Sequence, residues 1–243
     1  MRKMASKTFL VVMLLIVVFF ISGCGSSNGG NVKKAAYEII DDQGAMIQLE
    51  HKPERILTLA MGTDSIVLGI LPEEKLIAIN SLADDPVSSN IVDKANGITR
   101  KIKNPSAEEI LSLKPDVVFI YNWGKAEMVD NLRELGIKVV VVKGPKSIAD
   151  VKENVKLIAK TLGEEDKGNL MIAKMDDKLA EIKEKVDNIK PEERKKLVLI
   201  SLMTSYGGKG CTFDDICTYA GVLNGVSDAG LFNAQLLTKG MLV

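Results

Sequence analysis

Histidine is nearly absent from this chain: His51 is the only one in 243 residues, and it sits on an edge segment ahead of the first long apolar strand. An imidazole-based catalytic triad and a multi-histidine zinc or manganese site are therefore both excluded. Cysteine is scarce too, with only Cys24, Cys211 and Cys217. If the segment carrying the last two is helical, their six-residue offset puts them on different faces, which argues against a disulfide and for two half-buried thiols behaving as small hydrophobes. Net charge is also missing, since 32 basic residues balance 32 acidic ones with no long block of either sign. A nucleic-acid partner needs a basic footprint, and none is present.

What the chain does have begins at its start. Arg2, Lys3 and Lys7 precede an unbroken apolar run over residues 9–21, too short for a comfortable membrane span and of the size and flanks of a signal-peptide core. Ile21-Ser22-Gly23-Cys24 follows at once and resembles a bacterial lipobox, with Cys24 as the lipidated residue. Two acyl chains on that cysteine would suffice for stable anchoring. Residues 25–31, GSSNGGN, hold no apolar side chain and read as a flexible tether. The expected organisation is a signal peptide over 1–23, a tether over 24–31, an α/β lobe over 32–145, a joining helix over 146–163 and a partial second α/β lobe over 164–243.

Past the tether, residues 37–40 and 45–50 flank Asp41-Asp42-Gln43-Gly44 and read as a hairpin. Strands are then expected over 56–61, 76–80, 116–121 and 137–142, and helices over 64–70, 106–113 and 125–135. Val- and Ile-rich strands alternating with helices predict a parallel sheet covered on both faces. Ser147-Ile148-Ala149-Asp150 resembles a capping box, and Ile148, Val151, Val155, Ile158 and Leu162 recur at helical spacing until Gly163. A second long helix is expected over 165–189, with Met171, Met175, Leu179, Ile182 and Val186 on one stripe as core residues. A strand over 197–203, a Gly-rich turn over 206–210 and a helix over 212–220 open the second lobe.

In an open α/β sheet, ligands sit outside the carboxyl ends of the strands. Those ends carry Met61, Gly62 and Thr63, then Asp84 and Asp85, then Tyr121, Asn122 and Trp123, then Tyr206, while Arg100, Lys101 and Lys103 precede the helix at Ser106. Aromatic faces beside cations suit an anionic, partly aromatic chelate. Tyr121 and Trp123 serve equally well as strand-end packing, and a basic cluster such as Arg100, Lys101 and Lys103 is more often a solvated loop than a ligand contact. Tyr206-Gly207-Gly208-Lys209-Gly210 lacks the residue order of a phosphate loop. No paired base and nucleophile is present, so an enzyme such as a surface hydrolase is the weaker alternative, and no catalytic or metal-ligating residue is assigned.

Lys52-Pro53-Glu54-Arg55-Ile56, together with residues 104–118 (NPSAEEILSLKPDVV), is similar to the periplasmic binding proteins that serve siderophore, haem and cobalamin importers. Leu132-Arg133-Glu134-Leu135-Gly136-Ile137, Gly208-Lys209-Gly210 and Ala220-Gly221-Val222-Leu223-Asn224 extend the likeness. The resemblance implies two mostly parallel α/β lobes joined by one rigid helix, with the ligand between them. It implies an ABC permease and its ATPase as partners, a small metal chelate as cargo without a resident cofactor, a monomer, and a site outside the cytoplasmic membrane. Glu108 matches the family's permease-contacting carboxylate, although a helix dipole alone also favours a glutamate there. Relatives that import bare metal ions need several histidines, and Lys103 stands where haem binders carry an axial Met, so an iron(III) siderophore ranks ahead of haem or cobalamin. Residues 238–243 align with 106–111 as a second copy of the same unit, with Gly240 in place of the second permease-contacting glutamate. The second lobe is accordingly expected to be incomplete, as in a truncated product.

Overall fold

The computed structural model describes residues 37–124, 126–199 and 207–233. Cys24 with the leader and tether, Lys125, Tyr206 and residues 238–243 lie outside the described residues. The hairpin is present as Tyr37–Ile40 (β1) and Met46–Leu49 (β2), antiparallel with Tyr37 opposite Leu49. The turn is set by Asp41, whose Oδ1 accepts from the N–H groups of Gln43 and Ala45 at 3.0 and 2.9 Å.

Five parallel strands follow: Ile56–Thr58 (β3), Leu76–Asn80 (β4), Lys101–Ile102 (β5), Val117–Tyr121 (β6) and Val139–Val142 (β7). Their order across the sheet is β5-β4-β3-β6-β7. The chain starts in the middle at β3, winds outward to β5, then returns to the other side of β3 for β6 and β7. Connections therefore leave β3 and β6 in opposite directions, which opens a crevice at their carboxyl ends. The fold is mixed α/β with a parallel central sheet, as the alternation of Val- and Ile-rich runs with helices predicted.

Both faces are covered, and the two-residue period of the strands sorts their side chains. Val117, Phe119, Tyr121, Val140 and Val142 join one apolar cluster, completed by Ile66, Val67 and Ile70 of helix α1 (Met61–Ile70) and by Val155, Ile158 and Leu162. Val118, Ile120, Val139 and Val141 join the other. That second cluster is closed by Ile110 of α3 (Ala107–Ser112) and by Val129 and Leu132 of α4 (Ala126–Glu134); the short helix α2 (Val92–Ala95) lies between β4 and β5 in sequence. The Val155, Ile158 and Leu162 stripe belongs to α5 (Ile148–Leu162), whose bounds are those the sequence predicts. Ser147 Oγ accepts from Asp150 N–H at 3.1 Å at its start. Gly163, at φ +64°, ends it in the left-handed region that glycine enters without steric cost.

The motifs carrying the family likeness clasp each other at the opposite end of the sheet from the crevice. Asp116 Oδ2 accepts from the backbone N–H groups of Glu54 and Arg55 at 2.8 and 2.9 Å. The Arg55 guanidinium in turn donates to the carbonyls of Lys114 and Leu113 at 2.9 and 2.7 Å. These residues fix the register of β3 against β6 and are structural.

Helix α6 (Glu165–Val186) rests on α5 and α1. Gly168 is buried beneath it because a Cβ there would come within 2.4 Å of Ala159 Cβ. Met171 packs against the core, as expected, joined by Ile172, which the expected stripe left out, while Met175, Leu179, Ile182 and Val186 are only half-buried. Beyond it, Lys196–Leu197 (β8) and Leu223–Asn224 (β9) form a parallel pair with α7 (Thr212–Tyr219) and α8 (Gly225–Asp228). Asp215 Oδ2 accepts from Ile148 N–H at 2.7 Å and the Thr212 hydroxyl donates to Pro145 O at 2.9 Å, tying α7 to the start of α5. Cys211 and Cys217 are unpaired thiols, and both are buried rather than half-buried. Among the described residues, no helix is long and apolar enough to cross a membrane.

Candidate functional site

The crevice at the carboxyl ends of β3, β4, β5 and β6 is a cleft of about 630 Å³. Its size falls within the usual range for small-molecule sites, roughly 300 to 1,000 Å³. Leu59 and Ala60 line it from β3, Asn80, Ser81 and Leu82 from β4, and Ile102, Lys103, Asn104 and Pro105 from β5. Ile120, Tyr121, Trp123 and Gly124 line it from β6, and Met128 from α4. The described lining holds one cation, Lys103, and no carboxylate.

Tyr121 and Trp123 form its aromatic wall, with ring centroids 4.3 Å apart and planes tilted by 33°. Tyr121 is buried, whereas Trp123 is 67% exposed and presents a free face. Burial, with the neighbouring Asp64 carboxyl second, pushes the Tyr121 phenol up to about 12, so it stays protonated at neutral pH. Each ring depends on a glycine from a different element. A Cβ on Gly62 would meet Tyr121 Oη at 2.2 Å, and one on Gly144 would meet the Trp123 ring at 2.2 Å.

Several residues that the sequence assigned to the ligand do other work. Strand β3 ends at Thr58 and α1 begins at Met61, earlier than the strand to residue 61 and helix from residue 64 that apolar patterning suggested. Met61, Gly62 and Thr63 are thus the first turn of α1 and not a loop, and Leu59 and Ala60 take their place in the lining. Thr63 is buried and donates its hydroxyl to Ala60 O at 2.7 Å. Asn122 is also diverted: its amide donates to Asp42 Oδ2 at 2.8 Å and accepts from Gly144 N–H at 3.0 Å, which brackets three loops together. Arg100 lies ahead of β5, at the wrong end of that strand, and lines a separate depression with Glu73 and Glu74. Of the basic cluster only Lys103 reaches the cleft, because Lys101 donates to the carbonyls of Ala95 and Ile98 and pairs with Asp84 at 3.5 Å. Asp85 caps a turn through the N–H groups of Val87 and Ser88. Glu108 is exposed in the first turn of α3; hydrogen bonds from its own backbone N–H and from Ser106 hold its carboxyl below the usual carboxylate range.

The sequence offered no reason to single out Asp64. It is fully buried under the cleft, where Thr58 donates to Oδ1 and Asn80 N–H donates to Oδ2 at 3.2 Å. Desolvation pushes its carboxyl up to about 7, against the lowering effects of those two hydrogen bonds and of Lys101. A lone aspartate in an apolar helix pattern gives no such signal until β3 and β4 close over it. Among the described residues, no cluster of three or more His, Cys, Asp or Glu is placed to hold a metal ion.

A superposition and two sequence matches bear on this arrangement. The ABC-transporter substrate-binding lipoprotein YvrC of Bacillus subtilis (strain 168) is 23% identical over 189 residues, covering 74% of this chain and 59% of that protein. The iron-uptake system-binding protein of the same organism is 26% identical, covering 81% of this chain and 62% of its own length. The chain thus spans about three fifths of these curated relatives. The periplasmic heme-binding protein RhuT from Roseiflexus sp. RS-1, in apo form, shares the fold with a TM-score of 0.66 at 22% identity, over 78% of this chain and 72% of that one. Residues 63–229 match the family model for periplasmic binding proteins, which is well over half of the sequence. The chain belongs to the periplasmic binding protein family, a family of solute binders and not of enzymes.

Proposed function

We propose that this chain is the extracytoplasmic ligand-binding component of an ABC importer, which captures an iron(III)-siderophore-type chelate and delivers it to the permease and its ATPase. The observation that carries this is the cleft itself: a stacked Tyr121 and Trp123 wall facing Lys103, with no carboxylate in the described lining. Such a surface favours an anionic ligand with flat, polarisable groups, and the described lining holds no histidine, thiol or carboxylate that would compete with a chelator for its metal. The relatives named for iron uptake and for ABC transport support the same assignment. Here Cys24 carries the lipid anchor, Glu108 is the permease-facing carboxylate, and the protein acts as a monomer. Residues 32–145 form one lobe, 146–163 the joining helix and 164–243 part of the second, with Tyr206 beside the ligand.

Trp123 is the only tryptophan, so its emission reports on the cleft directly. Ferric catecholates and hydroxamates are expected to quench it and to raise the melting temperature. Quenching by cobalamin or haem with no response to either ferric chelate would replace the siderophore assignment. No response to any of the four would remove the importer reading.

A further inference from the structure

We propose that Asp64 is a proton-linked charge beneath the cleft: capture of an anionic chelate takes up a proton at this carboxyl, and affinity therefore rises on acidification. It rests on the cleft being the site of an anionic cargo, and it adds a regulation of that site.

Two aspartates are buried among the described residues, and the fold treats them differently. Asp41 has a cation, since the Arg133 guanidinium donates to it at 2.6 Å. Asp64 has no basic group at ion-pair distance among the described residues. Lys101, the basic group whose charge reaches it, directs its ammonium to the carbonyls of Ala95 and Ile98 and to Asp84. A carboxylate buried without a paired cation is costly, so the counter-charge left to it is a proton. Burial accordingly pushes Asp64 up to about 7, against the lowering effects of Thr58, Asn80 and Lys101, and its charge is half-formed at neutral pH.

Its position makes that charge matter to the cleft. The Thr58 hydroxyl and the Asn80 N–H donate to its two oxygens, and these are the last residues of β3 and β4. Asn80 lines the cleft, and so does Tyr121 at the end of β6, whose phenol is raised by its burial first and by the Asp64 charge second. Three strands that line the cleft therefore end around this one carboxyl. Lys101 and the Tyr121 phenol are the titratable groups that act on it, whereas Thr58 and Asn80 do not titrate. Helices α5 and α6 meet α1 through apolar side chains such as Ile158, Leu162 and Met171.

Both states of the carboxyl fit the same frame. A proton on Oδ1 reverses the Thr58 hydrogen bond, the acid donating and the hydroxyl accepting, while Oδ2 still accepts from Asn80 N–H. Protonation thus changes the charge beneath the cleft without moving the strand ends. A ligand seated above excludes water, and an anionic one adds like charge; both effects favour the protonated acid. By linkage the proton favours the ligand to the same extent.

Asp64→Asn fixes the neutral form, and Trp123 quenching by ferric enterobactin, an anionic tris-catecholate, compares it with the native chain. If the bound state holds the proton about ten times more tightly, native binding should tighten about fivefold from pH 8 to pH 6 relative to the variant. At pH 8 the variant should bind about fivefold more tightly than the native chain, the opposite of what damage to a merely structural residue does. Calorimetry at pH 7.5 in buffers of different ionisation heat provides a second readout. There the native chain should take up about half a proton more per chelate than Asp64→Asn, and His51→Gln, which removes the only histidine, should match the native chain. Equal pH slopes, weaker binding by the variant at pH 8, or equal uptake by the native chain and Asp64→Asn would overturn the coupling and leave the cleft reading standing. Uptake lost in His51→Gln would overturn it as well, by placing the proton elsewhere. No quenching in either protein at either pH would sink the anionic cargo and the coupling with it.

Discussion

Replacing Asp64 by Asn should abolish a gain in stability on acidification that the native chain owes to its buried carboxyl. In the folded chain Asp64 titrates near 7 against a reference of 3.8. Its folded value is raised, so between those limits the folded state holds a proton that the unfolded state has lost. Stability from this group is therefore fully present below about pH 4, declines as pH rises, and is gone above about pH 7. Roughly three pH units at about 1.4 kcal/mol each give about 4 kcal/mol in total, of which about 3 falls between pH 8 and pH 5. The groups facing this carboxyl are Thr58 from β3, Asn80 from β4, Lys101 from β5 and Tyr121 from β6, and of these only Lys101 carries charge in this range. In Asp64→Asn the amide oxygen can accept from Asn80 N–H and the amide nitrogen can donate to the Thr58 hydroxyl, so the neutral form is imitated without a titrating proton. Urea unfolding or calorimetry at pH 8 and pH 5 should show the native chain gaining about 3 kcal/mol on acidification relative to the variant, or about 6 to 10 °C in Tm. Carboxylates with depressed values, such as Asp150 and Glu164, contribute the opposite trend at lower pH and cancel in the comparison. Equal pH slopes for the two proteins would show that Asp64 is charged in the fold and that its burial has been overstated.

Gly144→Ala should leave stability nearly unchanged, because the Trp123 ring it displaces is exposed enough to swing away. Tryptophan near-ultraviolet dichroism should change and ferric chelate quenching should weaken several-fold; an unaltered spectrum would refute the seating of that ring on Gly144. Phe119→Ala, at a fully buried position on β6, is expected to cost about 3 to 5 kcal/mol in denaturant unfolding. Cys24→Ala should shift the protein from the detergent to the aqueous phase on partitioning, and unchanged membrane association would rule out the lipid anchor.

The sequence by itself determined the class of fold and most of the element boundaries. Ser147 and Gly163 delimit α5 because capping and left-handed termination are decided within a few residues. The runs now seen as β6 and β7 are apolar at every position, and only a strand buried on both faces accommodates that. The crevice was legible too, since a parallel sheet places its loops at the carboxyl ends, and Tyr121 and Trp123 were named from that rule; Lys103 was named only as part of a basic cluster, because the two-residue strand β5 before it gives no sequence signal. What only the tertiary structure decided is which side chains remain available there. Asn122 and Lys101 have the right chemistry in the right places, but the Asn122 amide is taken by Asp42 from a loop distant in sequence, and the Lys101 ammonium folds back onto the carbonyls of Ala95 and Ile98 just before it. Arg100 is three residues from Lys103, and the direction of β5 carries it to the other end of the sheet. Asp64 became a buried, near-neutral acid only when β3, β4 and β6 came together around it. Desolvation is a property of what surrounds a group, and those surroundings are assembled from contacts that local sequence does not encode.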